Sequence, residues 1–378
     1  MRIREITFHD FRSFRGRRRV SFVDPLTDAV RPINVLAGTN GTGKTTILDT
    51  IEALLAFALD PDQPRDLVRE AMETGLIHMI VEVDLPAANG QITAPASQMP
   101  SILHIAVGRK ELVRGMPERE WLNLVCWLVQ RGKQGPPFRR QSRLAKQFRE
   151  QVSGMLQGQT PLEGGLLYFP HDRRLTVTDK GGPIEPPSEQ RSWLFRHTAS
   201  DQWPGSLEQL WVWQNYLDLE RGAQGHTSLE PFVESVETIL GSDRTIQVSE
   251  GRAQIRPAWR DGEKDEDWLR LNQLPSGEQQ VLLLFGELAR RRRGAVLAID
   301  EPEISLHPTL QRQVVHQLRQ FARTWDMQVI LATHSLEVLR AVHESERILL
   351  DQLDQAEGAE APVLMARLHC KQIGDLPC

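Results

Sequence analysis

Three short stretches of this 378-residue chain carry side chains whose types and order suit phosphate chemistry. Residues 38–46 read GTNGTGKTT and satisfy G-x-x-x-x-G-K-[ST]. Gly38, Gly41 and Gly43, with Asn40 between them, let backbone N–H groups turn toward a phosphate. Lys44 is placed to reach β and γ phosphates, and the Thr45 hydroxyl to hold Mg²⁺, with Thr46 completing the loop. Further on, AVLAIDEPE ends an apolar run on Asp300 and Glu301. One carboxylate there can hold the water shell of Mg²⁺, and its neighbour can orient and activate an attacking water. LATHS repeats the arrangement, with His334 just past another apolar run. Such a His contacts the γ-phosphate or caps the helix that follows.

A fourth stretch, LPSGEQQ, precedes a strongly apolar helix. Ser276 and Gln279 have the S-x-x-Q spacing of a capping box, so a helix is expected to start there with its N-terminus exposed. Gly277, followed by Glu278, would let an anion approach the backbone closely, and a helix start is a natural anion site. A well-capped structural helix is the plain alternative. The phosphate loop already serves one γ-phosphate, so a second such site makes sense when it faces the nucleotide of another copy of the chain.

The elements around these residues alternate. INVLAG reads as a buried strand before the phosphate loop, and TGKTTILDTIEALLAFAL as the helix after it, ended by Pro61 and Pro64. Before them stand a strand RIREITFHDF, a basic turn and a second strand around RVSFV; two more strands, LIHMIVEVDL and SILHIAVGR, come after. Residues 119–132, 142–158, 206–222 and 228–241 read as helices, and GGLLYFPHDRRL as a strand running into a loop. Six of the nine Trp lie between Trp121 and Trp213, as the core of a small helical lobe or as a partner surface. TDKGGPIEPPSEQ reads as an exposed loop. A strand meander follows, with a tight turn near Asp261 and Gly262. Then come the strand AVLAID, a helix over TLQRQVVHQLRQFARTW, the strand QVILATH and the helix SLEVLRAV. Strands alternating with helices predict an α/β fold. The expected division is a nucleotide-binding lobe over 1–115, a mostly helical insert over 116–243 with a core strand near 164–172, and 244–378 completing the first lobe.

Composition narrows the classes. No apolar run is long enough to span a bilayer. Cys126, Cys370 and Cys378 form neither a disulfide framework nor a CxxC metal motif, which fits a reducing cytoplasm. A formal net charge of -5 excludes a protein that is basic throughout. Arg clusters at RSFRGRRR, FRRQSRLAKQFR and ARRRRG are local phosphate-binding patches or solvated faces. Arg290 to Arg293 also suit the last turn of a helix stopped by Gly294.

The order of phosphate loop, long insert, LPSGEQQ, AIDEPE and ATHS resembles the ATP-binding-cassette ATPases. FRSF and IDEPEISLHP resemble the branch containing RecF, the heads of structural-maintenance-of-chromosomes proteins and the OLD-family ATPases. The resemblance is tight near both ends and loose between them. It implies an ATPase head of that type with ATP and Mg²⁺ as ligands, and a head-to-tail homodimer sandwiching two ATP molecules. Ser276 and Gly277 would then act in trans, Asp300 on the metal, Glu301 as catalytic base and His334 as switch histidine. Members place a Gln where YFPHD stands here, which gives that role to His171. With no visible coiled coil, no membrane part and only a short tail after His334, the chain is expected to lack its own nuclease. The resemblance implies a standalone switch in bacterial anti-phage defence that acts on double-stranded DNA or controls an effector protein encoded nearby. A RecF-like repair mediator and a transporter ATPase subunit are the alternatives. Whether pairs join into larger rings stays open.

Overall fold

The computed structural model describes residues 1–85, 100–117, 119–128, 138–175, 192–197, 207–220, 230–241, 245–256, 268–288 and 293–355. In chain order the first elements are β1 (Arg2–Phe11), β2 (Phe14–Ser21), β3 (Ile33–Ala37), α1 (Lys44–Leu59), α2 (Asp66–Thr74), β4 (Leu76–Val83) and β5 (Ser101–Gly108). Next come α3 (Lys110–Arg114), β6 (Leu124–Trp127), β7 (Phe138–Gln141), α4 (Arg143–Leu156), β8 (Leu166–Phe169), β9 (Leu194–Arg196), α5 (Leu207–Glu220) and α6 (Glu230–Leu240). The last are β10 (Thr245–Ser249), β11 (Arg252–Arg256), β12 (Leu269–Arg270), α7 (Ser276–Leu288), β13 (Val296–Asp300), α8 (Pro308–Thr324), β14 (Gln328–Thr333), α9 (Leu336–Arg340) and β15 (Arg347–Leu349).

The fold is α/β and layered. One six-stranded sheet runs β15-β3-β14-β13-β8-β9 with every neighbouring pair parallel. A second runs β2-β1-β4-β5-β6-β7 and is antiparallel except between β5 and β6. The four inner strands of the parallel sheet are buried on both faces, as a sheet covered on both sides requires. Leu36, Ala298, Ile330 and Ala332 join α1 and the second sheet in one core. Their neighbours Val35, Leu297, Ile299, Val329 and Leu331 face the other way, into a core shared with α5, α6, α7 and α8. The phosphate-loop helix α1 is therefore gripped between two sheets. Its loop emerges at the C-terminal end of β3, beside the ends of β14 and β13, the edge where open α/β sheets bind ligands.

Two expectations are corrected. Residues 119–132 do not start a helical lobe: β6 is a strand paired parallel to β5. Leu124 and Cys126 enter the main core while Val125 packs into a small one with Leu76 and Ala106. A run apolar on both faces carries no period, so helix and strand look alike in sequence. The arginines at 15, 17 and 19 are not in a turn but in β2, because the reversal is tight at Arg12 (φ 51°) and Phe14 stacks on Phe8 with centroids 4.2 Å apart. Helix α2 was not expected at all.

The described part of 116–243 contains α4, α5 and α6 and also β6 to β9, which extend both six-stranded sheets. Trp193 and Trp211 are buried in the two main cores, whereas Trp121 is 66% exposed. The meander turns at Glu250 and Gly251; the turn expected at Asp261 and Gly262, the loop 178–190 and Arg290 to Arg292 lie outside the described residues. Among the described residues no helix is long and apolar enough to cross a membrane.

Candidate active site

The loop before α1 is shaped by glycine. Gly41 and Gly43 have φ of 84° and 98°, in the left-handed region that side chains disfavour. A Cβ on Gly43 would also sit 2.5 Å from Phe14 Cζ and 2.6 Å from Ser13 Oγ, so the FRSF turn buttresses the loop from outside. No side chain caps the start of α1, which leaves its first N–H groups facing the loop's hollow. Lys44 Nζ donates to the carbonyls of Gly38 and Thr39 at 2.8 and 2.9 Å. Burial lowers its pKa, against the pull of Asp300, Asp351, Glu301 and Glu303. An uncapped helix start, a buried lysine and glycines without Cβ form a cradle that fits a phosphate chain.

Asn40 and Gly41 are exposed at the loop's crest and Thr46 is half-buried. Asn40, Gly41, Ser13, Phe14 and Arg18 border a groove of about 290 Å³ together with Asp351. Asp351 comes from the 3₁₀ turn after β15 and accepts from Thr39 N at 3.0 Å and Thr39 Oγ1 at 2.8 Å. A residue 312 positions away thus fixes the loop's entry.

The carboxylates stand beside this cradle. β13 is fully buried and ends on Asp300, whose Oδ2 accepts from Thr45 Oγ1 at 2.8 Å. Asp300 is 2% exposed, and burial raises its pKa although the Thr45 hydroxyl and His171 oppose the shift. A hydroxyl and a carboxylate in contact suit Mg²⁺, which keeps waters and takes further oxygens from a bound phosphate. Among the described residues no three His, Cys, Asp or Glu are grouped as a cage for a metal. His171 Nδ1 lies 3.6 Å from Asp300 Oδ2 and is mostly exposed, so the structure brings it to the same edge. Asp172 is exposed. The buried charge has a consequence: Asp300→Asn is expected to stabilise the nucleotide-free fold by about 1 kcal/mol while lowering any Mg²⁺-dependent turnover. Calorimetry without nucleotide, set beside a phosphate-release assay, checks both halves.

Glu301 follows in the left-handed region, φ 49°, which strains a residue with a side chain. Its N–H donates to Ala332 O at 2.8 Å and its side chain reaches within 4.0 Å of His334 Nε2. His334 does not cap α9. Ser335 does, accepting from Glu337 N and Val338 N. The His334 backbone is instead held by Glu303, whose Oε1 accepts from Thr333 Oγ1 at 2.7 Å, His334 N at 2.9 Å and Ser335 N at 3.1 Å.

Ser276 is exposed and is the first residue of α7. The expected capping box is not formed among the described residues: Gln279 N donates to Pro275 O at 3.1 Å rather than to the Ser276 side chain, and Gln279 Nε2 donates back to Leu274 O at 2.8 Å. Gly277 has a reason inside its own chain, since a Cβ there would lie 2.7 Å from Ser305 O. Glu278 is half-buried. Among the described residues neither Ser276 nor Gly277 forms a hydrogen bond with the phosphate loop.

Sequence reasoning missed Arg173, Glu303 and Asp351. Arg173 is 2% exposed and donates to four acceptors: Pro170 O (3.1 Å), Asp300 O (2.6 Å), Glu301 O (2.8 Å) and Gln280 Oε1 (3.0 Å). Burial brings its pKa down to about 10, so it remains a cation at neutral pH. Its sequence signal was a basic residue four positions past the end of a buried strand.

Two family models match the chain: one described as "AAA domain, putative AbiEii toxin, Type IV TA system" over residues 186–340, and one described as "AAA domain" over residues 5–84. The thiamine import ATP-binding protein ThiQ of Chelativorans sp. (strain BNC1) is 36% identical over 97 residues, 25% of this chain and 39% of that protein. The phosphonates import ATP-binding protein PhnC of Lactobacillus delbrueckii is 26% identical over 127 residues, 28% and 49% of the two chains. The energy-coupling factor transporter ATP-binding protein EcfA1 of Streptococcus pneumoniae is 31% identical over 102 residues, 27% and 35%. The chain therefore spans less than half the length of these relatives. Among solved structures, the SMC head domain from Thermotoga maritima aligns at 13% identity and TM-score 0.44, covering 92% of this chain and 94% of that one. An SmcHead bound to the C-winged helix domain of ScpA aligns at 11% identity and TM-score 0.48, covering 90% and 92%.

Proposed function

We propose that this chain, whose fold is that of an ATP-binding-cassette P-loop ATPase head, binds and hydrolyses ATP between two copies of itself and so works as a switch. The observation that carries this reading is the contact of Thr45 Oγ1 with Asp300 Oδ2 at 2.8 Å, at the mouth of an uncapped helix and one residue before Glu301. Gly38, Asn40, Gly41, Gly43, Lys44, Thr45 and Thr46 hold the triphosphate, and Thr45 and Asp300 hold Mg²⁺. Bound Mg²⁺ supplies neutralisation of the charge on the transferred phosphoryl group. Glu301 takes a proton from the attacking water at its carboxylate. His171 stands beside Asp300 and His334 beside Glu301, where each would orient a polar group of the bound nucleotide or water. Ser276, Gly277 and Glu278 offer an exposed helix start to the partner copy's nucleotide.

The proposed output is control of an effector protein in the bacterial cytoplasm, as part of defence against phage. The toxin and toxin–antitoxin wording of one matching family fits a switch that restrains a harmful partner. The arginine clusters favour a protein output over a DNA track. β2 and β7 lie at opposite edges of a six-stranded sheet, roughly 24 Å apart at the usual strand spacing. Arg12 pairs with Glu70, Arg19 with Glu5 and Arg139 with Asp62, while Arg149 donates to Gln141. The test is steady-state ATP turnover at low salt, with and without duplex DNA, against Glu301→Gln as blank. Turnover above the blank and indifferent to DNA supports this output. Stimulation by DNA that fades with salt replaces it with a DNA-acting, repair-type role. Turnover no greater than that of a protein-free control removes the ATPase reading.

A further inference from the structure

Arg173 joins two parts of the molecule that the switch must move together. Its guanidinium holds the carbonyls of Asp300 and Glu301 with one edge and the Gln280 side chain with the other. Gln280 Nε2 returns a hydrogen bond to Arg173 O at 3.4 Å. Gln280 is buried and stands four residues, about one helical turn, along α7 from the exposed Ser276. Among the described residues no carboxylate bonds to this cation directly, and Asp300, Glu303 and Glu301 act on it through their fields. A buried charge satisfied by main-chain and amide oxygens is sensitive to where those oxygens sit.

Two further observations bear on the same joint. The start of α7 packs against the loop after β13 at a second point, where Gly277 leaves no room for a Cβ against Ser305 O. The strained Glu301 backbone is pinned on both sides, its N–H by Ala332 O and its carbonyl by Arg173 Nη2. Such a conformation persists only where surrounding contacts over-determine it. Any shift of α7 therefore acts on the residue that carries the proposed base.

We propose that Arg173 is a positioning residue that couples the two nucleotide sites of a closed pair, transmitting the docking of α7 on the partner's nucleotide to the backbone of Asp300 and Glu301. This rests on the ATP-switch reading above. It assigns Arg173 and Gln280 a part that neither touches nucleotide nor metal. Binding by the phosphate loop should not need them, whereas turnover should.

The test uses the full chain carrying Arg173→Lys, Gln280→Leu, or both. Affinity for a fluorescent ATP analogue with Mg²⁺ and steady-state kcat are measured for each, with the unfolding midpoint as a check on folding. Nucleotide affinity is expected to stay within about twofold while kcat falls roughly tenfold in Gln280→Leu and about 100-fold in Arg173→Lys, the scale of a small misplacement at a reacting centre. Because the residues act as one strut, the double variant should be no slower than Arg173→Lys alone. A Gln280→Leu chain with wild-type kcat overturns the proposal, as do single effects that multiply in the double variant. If Arg173→Lys does not fold, Gln280→Leu decides alone. Wild-type turnover no greater than that of a protein-free blank would instead sink the ATPase reading, a result distinguishable from both.

Discussion

Glu301→Gln is expected to lower ATP turnover by about 10³-fold, within the range of a removed general base, with nucleotide affinity within about twofold of wild type. The substitution keeps size and hydrogen-bonding reach but removes the ability to accept a proton at neutral pH. It leaves Asp300 and its bond to Thr45 in place, so the metal-holding pair is untouched. It also leaves the backbone pins, since Ala332 O and Arg173 grip main-chain atoms. Binding persists and hydrolysis stops, so the closed pair should accumulate with ATP and elute as a dimer in size-exclusion chromatography. A variant that turns over ATP at the wild-type rate would take Glu301 out of the chemistry. The remaining carboxylates near the loop would then have to be tested in turn, Glu303 first because it already holds the His334 backbone.

Ser276→Arg should separate binding from closure. Ser276 is exposed and bonds to nothing in its own phosphate loop among the described residues, so a long cation there spares the cradle of its own chain. On the approaching partner it would fill the space that the helix start leaves for a phosphate. Nucleotide affinity of the monomer is expected to be unchanged and turnover to fall by about 10²-fold, as when a preorganised anion donor is removed. Analytical ultracentrifugation with ATP, in the Glu301→Gln background, gives the direct readout. Persistent ATP-dependent dimers would mean that α7 starts as a structural helix and nothing more.

How much of this was legible in sequence depends on how far apart the interacting residues lie. The phosphate loop could be read because its requirements are local: Gly41 and Gly43 are needed for their dihedral angles, and Lys44 and Thr45 act at the helix they begin. Asp300 could be read because a fully apolar strand that stops on a carboxylate leaves it at the sheet's edge. Contacts across the fold could not. Arg173 meets Asp300 over 127 residues and Gln280 over 107, and nothing in YFPHDRRL distinguishes a buried arginine from a solvated one. At α7 the reading was one residue off. Gln279 was expected to cap, but it turns back to Leu274 O, and Gln280 is the residue that points inward. A helix rotates about 100° per residue, so neighbouring glutamines face different surroundings and only packing says which matters. β6 failed for a related reason, being apolar on both faces.

The order of strands in the parallel sheet also sets a schedule for synthesis. β3, which delivers the phosphate loop, lies between β14 and β15, and the loop's anchor Asp351 is made 312 residues after Thr39. At ribosomal speeds of about 5 to 20 residues per second that interval is roughly 15 to 60 s. For most of it the nascent loop has its glycines and its lysine but neither β14 nor Asp300 beside it, and Asp351 comes last of the three. A nascent chain that has not reached Asp351 thus lacks the contact that fixes the entry of the phosphate loop.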